Sequence, residues 1–257
     1  MDLLKYNREA WDREVSKGNE WTLPVSREVI ALARKGVWEV VLTPQKPVPQ
    51  NWFPSLTRKR VLALASAGGQ QGPIFAAAGA LVTVFDNSPA QLAQDKSVAE
   101  REHLELQLVE GDMKDLSCFP DESFDLIFHP CSNCFVPDVK PVWKEAYRVL
   151  KRGGVLLSGL CNPIAFATDP DLESQGIVQL KYKIPYSDLT SLTDQERKRY
   201  TDKGEPLAFG HTLEDLIGGQ INAGFAITGF FEDSWTEKNG PIHKYLNCYI
   251  ATRALKN

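Results

Sequence analysis

Asp86 and Asp112 each close a short apolar run, "LVTVFD" (81–86) and "LELQLVEGD" (104–112). A third run, "VLALA" (61–65), opens into the small-residue loop Ser66-Ala67-Gly68-Gly69. A carboxylate accepts from two neighbouring hydroxyls at once, which suits a ribose diol. A loop of small residues lets a ligand approach bare backbone, whose free N–H groups favour electron-rich atoms. Asp86 stands 17 positions past Gly69, close to the roughly 20 expected of a ribose-binding acid after such a turn. The dinucleotide fingerprint G-x-G-x-x-G is missing, because "ASAGGQQG" (65–72) carries alanine at two of its glycine positions. With no pyrophosphate to cradle, alanine is tolerable, so the pattern points to a mononucleoside rather than NAD. A βα turn filled with small residues for packing alone is the non-functional alternative.

Two further groups of residues have chemical potential. "CSNC" (131–134) invites a metal or redox reading, but a zinc site needs four ligands, and no second C-x-x-C or H-x3–5-H partner exists. Thiols lining a pocket wall are the better reading, with no metal site expected. Trp11, Trp21 and Trp52 either wall a binding site or bury a helical segment on a sheet.

The elements that must carry these residues alternate from Arg60 onward. "VLALA" leads to a helix near 73–78, and "LVTVFD" to a helix with Ser88 as cap, Pro89 at its first position and Gln91 reaching back to the cap. "LELQLVEGD" and "FDLIFHP" (124–130) are the third and fourth strands, the fourth buried on both faces. A helix with Val142, Trp143, Ala146, Val149 and Leu150 on one stripe is expected to stop at Gly153-Gly154, and "VLLSGLC" (155–161) is the fifth strand. Strands and helices in this rhythm predict a Rossmann-like, doubly wound α/β sheet, mostly parallel. The last two strands, "FAITGFF" and "KYLNCYIATR", lie too close in sequence for a helical crossover, which makes the final strand antiparallel.

Residues 1–57 read as a helical N-terminal cap: Val25, Val29, Leu32 and Ala33 recur at helical spacing, Pro24 suits the first turn and Gly36 the stop. "LTPQKPVPQNWFP", with four prolines, is expected to cross the surface as a connector. Residues 162–210 break the rhythm and read as an insertion, a possible substrate lid. In it "IVQLKYKIPY" alternates like an exposed strand, and Thr193 with Glu196 forms a capping box. The domain with the alternating elements then covers 58–161 and 211–257.

The 257 residues carry a formal net charge of −4, with 43% hydrophobic and 24% charged residues. That is ordinary globular composition, with no broad basic face for nucleic acid. No apolar run reaches the ~18 residues of a membrane span. Five scattered cysteines argue for reduced thiols, and a cytoplasmic protein is expected.

Taken in order, the motifs resemble those of the class I S-adenosylmethionine-dependent methyltransferases, in the branch that acts largely on small molecules (methyltransferase type 11-like). "VLALASAGG" is similar to the family's V-L-D-L-G-C-G-x-G, and "VFDNSPAQL" to its V-D-x-S-x-x-x-L. "GDM" (111–113), "FDLIFHPCS" and "YRVLKRGGVLL" (147–157) follow at the family's spacings. The resemblance covers about 58–160 and 212–254 and implies S-adenosyl-L-methionine as cofactor. Carried over by position, it puts Ala65, Ser66, Ala67 and Gly69 along the methionine moiety and Asp86 on the ribose, with Asn87 beside it. Gly111, Asp112 and Met113 fall at the adenine. His129, Pro130 and Cys131 fall toward the sulfonium and substrate, with His129 the candidate general base. Trp11, Trp21, Asn133 and His211 are candidates for the substrate pocket, with Tyr182 and Tyr186 behind them. The Ser132-Asn133-Cys134 stretch is similar to one in arsenite methyltransferases, without their additional N-terminal cysteines.

The departures are specific. The first strand has Ala63 where the family usually has an acid, and the loop has Ala65 and Ala67 at glycine positions. Alanine avoids the φ > 0 region, so a reshaped loop is expected. Methyl transfer to a small molecule is the leading reading. Its alternatives are an inactive cofactor-binding or regulatory protein of the same fold, and an NAD-dependent reductase. An RNA or protein methyltransferase is disfavoured by the acidic balance. The oligomeric state is not readable.

Overall fold

The computed structural model describes residues 1–257. Strand alternation sets its two cores. Along β1 (Arg60–Leu64), Val61 and Ala63 face one side of the sheet while Leu62 and Leu64 face the other, all four fully buried. The same division recurs on β4 (Phe124–His129), where Leu126 and Phe128 oppose Ile127. A strand apolar on both faces needs helices on both. One face is covered by α2 (Arg27–Ala33), α3 (Gln71–Ala77) and α4 (Pro89–Glu102). The other is covered by α5 (Lys140–Val149), whose Trp143 is wholly buried.

The seven-stranded order is β3-β2-β1-β4-β5-β9-β8, with β2 at Leu81–Asp86, β3 at Leu106–Glu110 and β5 at Leu150–Cys161. The last two are β8 (Phe225–Asp233) and β9 (Tyr249–Lys256). Strand β9 runs antiparallel to both its neighbours and the other pairings are parallel. The doubly wound expectation, with its antiparallel final strand, is therefore what the chain adopts. Strand order reverses between β1 and β4, which opens a crevice beyond the carboxyl ends of those two strands.

Several local expectations differ. The helix before β5 ends at Val149 rather than at the glycines. Leu150 already pairs with Phe124, and the next register partner is Val155 with Leu126, so residues 151–154 form an irregularity within the strand. Pro24 lies outside α2, which is capped by Ser26 instead. The proline-rich connector is not a surface crossing: Leu42 and Val48 belong to the core, and Asp233 Oδ2 accepts from the N–H groups of Gln45 and Lys46 at 2.8 and 2.9 Å.

Residues 162–210 hold α6 (Pro170–Glu173), α7 (Asp194–Lys203) and a two-residue ladder, β6 (Tyr186–Ser187) with β7 (Phe209–Gly210). The stretch expected as an exposed strand makes only the isolated bridge Thr168–Leu180 before β6. The capping box of α7 forms between Thr193 and Glu196. The final helical turns, which include α8 (Gly219–Asn222), precede β8.

Helix α1 (Leu3–Lys17) ties the two halves of the molecule together. Asn7 is buried and spends its carboxamide on backbone, donating to the Phe135 and Leu207 carbonyls at 3.1 and 3.0 Å and accepting from Leu207 N–H at 2.9 Å. On its other flank, Asp12 Oδ1 accepts from Ser88 Oγ at 2.6 Å and from Ala90 N–H at 3.2 Å. The reach-back expected of Gln91 does not form: Asp86 Oδ1 accepts from Ser88 N–H instead, and the Gln91 side-chain oxygen has no partner.

Candidate active site

A cavity of about 330 Å³ occupies the crevice and runs along the carboxyl ends of the strands in sheet order. Gly111, Asp112 and Met113 line it beyond β3, and Asp86 and Asn87 beyond β2. Ala65, Ala67 and Gln71 follow after β1, then Pro130, Cys131, Ser132 and Cys134 after β4, and Cys161 at the end of β5. Trp11 from α1 and Trp21, Trp235 and Tyr249 complete the walls. Trp11 meets Phe135 edge-on with ring centroids 5.1 Å apart, and Trp21 meets Trp235 at 5.7 Å.

The loop after β1 is not reshaped. Ala65 and Ala67 hold φ of 45° and 66°, in the left-handed region that glycine adopts freely. The loop keeps a glycine-type path and stores strain of about 1–2 kcal/mol at each alanine. Two glycines are required for close approach. A Cβ on Gly68 would lie 2.4 Å from Gln91 Oε1, and one on Gly111 would lie 2.2 Å from the Phe85 ring. Phe85 is thereby pressed against the cavity floor, where it is part of the lining.

Asp86 is half-buried. Its Oδ1 accepts from Ser88 N–H at 2.8 Å. Burial pushes its carboxyl up to about 6, against the pull of backbone N–H groups at Ser88 and Asn87, with Asp12 adding a smaller push. Asn87 is engaged by α1, donating to the Leu4 carbonyl at 3.0 Å and accepting from Arg8 Nε at 3.3 Å. Asp112 accepts from Lys114 N–H at 3.0 Å. Asp86 and Asp112 are the only carboxylates in the lining, and no lysine, arginine or histidine is part of it.

Ser66, Gly69, His129, Asn133 and His211 lie outside the lining, as do Trp52, Tyr182 and Tyr186. Ser66 is fully buried, with an unpartnered hydroxyl. Gly69 packs beneath Pro24, and its carbonyl accepts from Val25 N–H at 2.9 Å. His129 is fully buried and is not placed to act as a general base: Nδ1 lies 2.8 Å from the Leu64 carbonyl oxygen and Nε2 lies 2.9 Å from Asn133 Oδ1. Burial lowers its pKa and those two acceptors oppose the fall. The ring ties the end of β4 to the end of β1. Asn133 spends its amide on His129 and on the Gly159 carbonyl, and His211 Nε2 lies 3.0 Å from the Asn133 carbonyl. These residues brace the wall from behind.

Trp52 packs on Phe231, with ring centroids 5.3 Å apart, and takes no part in the cavity. Tyr182 and Tyr186 pack on each other at 5.2 Å, and Tyr186 donates to Asp188 at 2.6 Å. No residue of 162–210 lines the cavity. The insertion instead clasps α1, through Asn7 with Leu207, Tyr6 with the Glu205 carbonyl and Arg13 with the Gly204 carbonyl. The covering element is α1 itself.

Sequence reasoning passed over Asn7, Gln71, Phe135, Trp235 and Tyr249. An asparagine on the inward stripe of an amphipathic helix was the available signal for Asn7. The others come from segments whose packing only the fold decides.

Cys131, Cys134 and Cys161 come together in the wall, far in sequence but adjacent in space. Hydrogen bonds from Cys131 and Cys134 pull the Cys161 thiol below its usual range. Burial, and then the Cys161 contact, pushes Cys131 up; for Cys134 the Cys161 contact leads and burial follows.

A cavity at the switch point, an acid at the end of β2 and an antiparallel last strand define a nucleoside-binding enzyme fold of the methyltransferase class. A family model described as "Methyltransferase domain" matches residues 62–158. The chain is 52% identical over 255 residues to the Bacillus subtilis (strain 168) protein named "Uncharacterized methyltransferase YbaJ", covering 99% of this chain and 98% of that one. It therefore belongs to the methyltransferase family and is an S-adenosylmethionine-dependent enzyme.

More distant sequence relatives match only part of the chain. An Aspergillus fumigatus sterol 24-C-methyltransferase is 38% identical over 90 residues, which is 34% of this chain and 24% of that protein. In structure, an S-adenosylmethionine-dependent methyltransferase from Mesorhizobium loti superposes with a TM-score of 0.62 at 19% identity, covering 80% of this chain and 94% of that one. A putative one from Listeria monocytogenes gives 0.60 at 17% identity, covering 81% and 95%. These likenesses extend the fold. The family membership replaces the reductase alternative.

The chain's own features fit the cofactor. Asp86 has one oxygen committed to backbone and a raised affinity for a proton, so hydrogen-bond donors from a ligand relieve it. Gly111 keeps the β3 end open against Phe85, and the loop after β1 holds a glycine path despite its alanines.

Proposed function

We propose that the protein methylates a small, largely apolar acceptor, and that Asp86 holds the ribose while Gly111, Asp112 and Met113 receive the adenine. The observation that carries the acceptor class is the makeup of the lining. Beyond the two carboxylates near β2 and β3, the walls are aromatic rings, aliphatic groups, thiols and neutral polar groups, with no cation to pair with a phosphate or an acid. A polyanion would enter such a cavity unpaired, at high cost. An apolar or aromatic molecule gains from Trp11, Trp21, Phe135 and Trp235.

The cofactor supplies an electrophilic methyl group on a sulfonium, open to in-line displacement. The residues of the chain then have three tasks. Asp86 and the β3 end fix the nucleoside, which sets the direction of attack. Helix α1, held by Asn7 and Asp12, brings Trp11 over the cavity and excludes water. The tryptophan walls orient the acceptor. With His129 committed to structure, no imidazole or amine base stands in the cavity. This favours acceptors whose reacting atom is nucleophilic without a strong base, such as thiols and electron-rich aromatic systems.

The test is formation of S-adenosylhomocysteine from S-adenosylmethionine, with a panel of small thiols, phenols and aromatic amines run beside bulk RNA and unfolded protein. Turnover with apolar small molecules alone supports the proposal. Turnover with RNA or protein alone overturns it.

A further inference from the structure

The loop after β1 is surrounded by buried polar atoms with nothing to bond to. Gln71 Oε1, Gln91 Oε1 and Ser66 Oγ are unpartnered, as are both oxygens of Asp95, one turn past Gln91 on α4. Buried polar groups in native proteins are nearly always paired, and each exception needs a reason. Ser66 and Asp95 do not reach the cavity, and burial holds the Asp95 carboxyl well above the usual carboxylate range. Gln71 and Gln91 do line it, although each is only 4% exposed.

Their placement is fixed from two sides. Gln71 opens α3 directly behind the loop, and Gln91 lies in the first turn of α4. The Gln91 carboxamide oxygen lies close to Gly68, where a single added Cβ would strike it at 2.4 Å. The Ser88 N–H, which could have drawn Gln91 into a capping box, donates to Asp86 Oδ1 instead, and this leaves the Gln91 oxygen free. Strand β1 itself brings no carboxylate to the loop, since Ala63 is fully buried and apolar.

We infer that Gln71 and Gln91 form a neutral carboxamide clamp for the amino-acid end of the cofactor, a zwitterion that brings one ammonium and one carboxylate. The inference rests on the proposed placement of the nucleoside at β2 and β3, which leaves the loop after β1 for the remainder of the molecule. A carboxamide offers an acceptor and two donors, so the pair can meet both charges of a zwitterion. Neither glutamine leaves a bare charge buried when the ligand departs. The two unpartnered oxygens are the acceptors for the ammonium. The clamp is selective: a nucleoside thioether that lacks the amino-acid portion leaves it unfilled.

Calorimetric titration with S-adenosylhomocysteine and with 5′-methylthioadenosine separates the possibilities. The wild-type chain is expected to bind S-adenosylhomocysteine at least about 100-fold more tightly. Gln71→Met and Gln91→Met keep side-chain length and apolar packing. Each is expected to lower affinity for S-adenosylhomocysteine about tenfold or more, as for hydrogen bonds to charged groups, while 5′-methylthioadenosine changes by less than about twofold. Equal losses for both ligands, or no loss for either, overturn the clamp alone. Comparable wild-type affinities for the two ligands overturn it without any variant, should one fail to fold. Wild-type chain that binds neither ligand overturns the nucleoside placement, and the clamp with it.

Discussion

Ala65 and Ala67 hold left-handed backbone that an L side chain resists, with φ of 45° and 66°. Replacing each by glycine removes about 1–2 kcal/mol of strain. Against this, glycine loosens the unfolded chain by about 0.4–1 kcal/mol. Each methyl is only half-buried at the cavity wall, so its loss costs a few tenths out of the ~0.8 kcal/mol of a fully buried carbon. The net is a gain of about 0.5 kcal/mol per site and about 1 kcal/mol for the double variant, a rise in Tm of about 2–4 °C for a chain this size. Ala93→Gly, at an exposed interior position of α4, is the control and should lose about 1 kcal/mol. Urea unfolding at constant m-value, with thermal melts, compares the four variants with the wild type. If Ala65→Gly and Ala67→Gly destabilise as Ala93→Gly does, the loop does not carry the strain and the backbone argument fails.

Three other outcomes follow from the same geometry. Asp86 has a folded value raised to about 6 from 3.8, so the ligand-free protein should lose stability as pH climbs through about 4 to 6 and then level off. Because the diol favours the ionised form, affinity for S-adenosylhomocysteine should be flat above pH 7 and weaken below 6 by up to about tenfold per pH unit. Calorimetry on Asp86→Asn should find that slope gone, and a retained slope assigns it elsewhere. His129→Ala leaves the Leu64 carbonyl and Asn133 Oδ1 facing a void; denaturant titration should find about 3–5 kcal/mol lost, with ligand affinity of the folded protein within about threefold. Gly111→Ala drives a methyl to 2.2 Å from Phe85. It should cost about 1–3 kcal/mol by overpacking and weaken S-adenosylhomocysteine binding in the same preparation.

Strand positions and strand ends were legible because they rest on periodicity. Val61, Leu62, Ala63 and Leu64 are all apolar because both faces of β1 are covered, and Asp86 stands out because it ends such a run. The same logic put Asp86 and Asp112 at the carboxyl edge, where the cavity lies, and the family resemblance added Met113 and Cys131. It failed for side-chain direction. His129 ends its strand as expected, yet its ring turns inward to Leu64, a choice set by the neighbouring strand and not by local sequence. Asn133 and His211 turn away for the same reason. Composition also misled at the proline-rich connector, where Leu42 and Val48 are core residues. Gln91 looked like half of a capping box, but Asp86 Oδ1 takes the Ser88 N–H that it would have met. The lid was sought in the irregular segment 162–210, whereas the covering helix is α1 and the insertion holds it in place.

The most direct test is a structure of the protein crystallised with S-adenosylhomocysteine. The account predicts the ribose diol on Asp86, the adenine between Phe85, Gly111 and Met113, and the homocysteine end between the loop after β1 and Gln71. An empty cavity at saturating ligand, or a ribose seated away from Asp86, would contradict it.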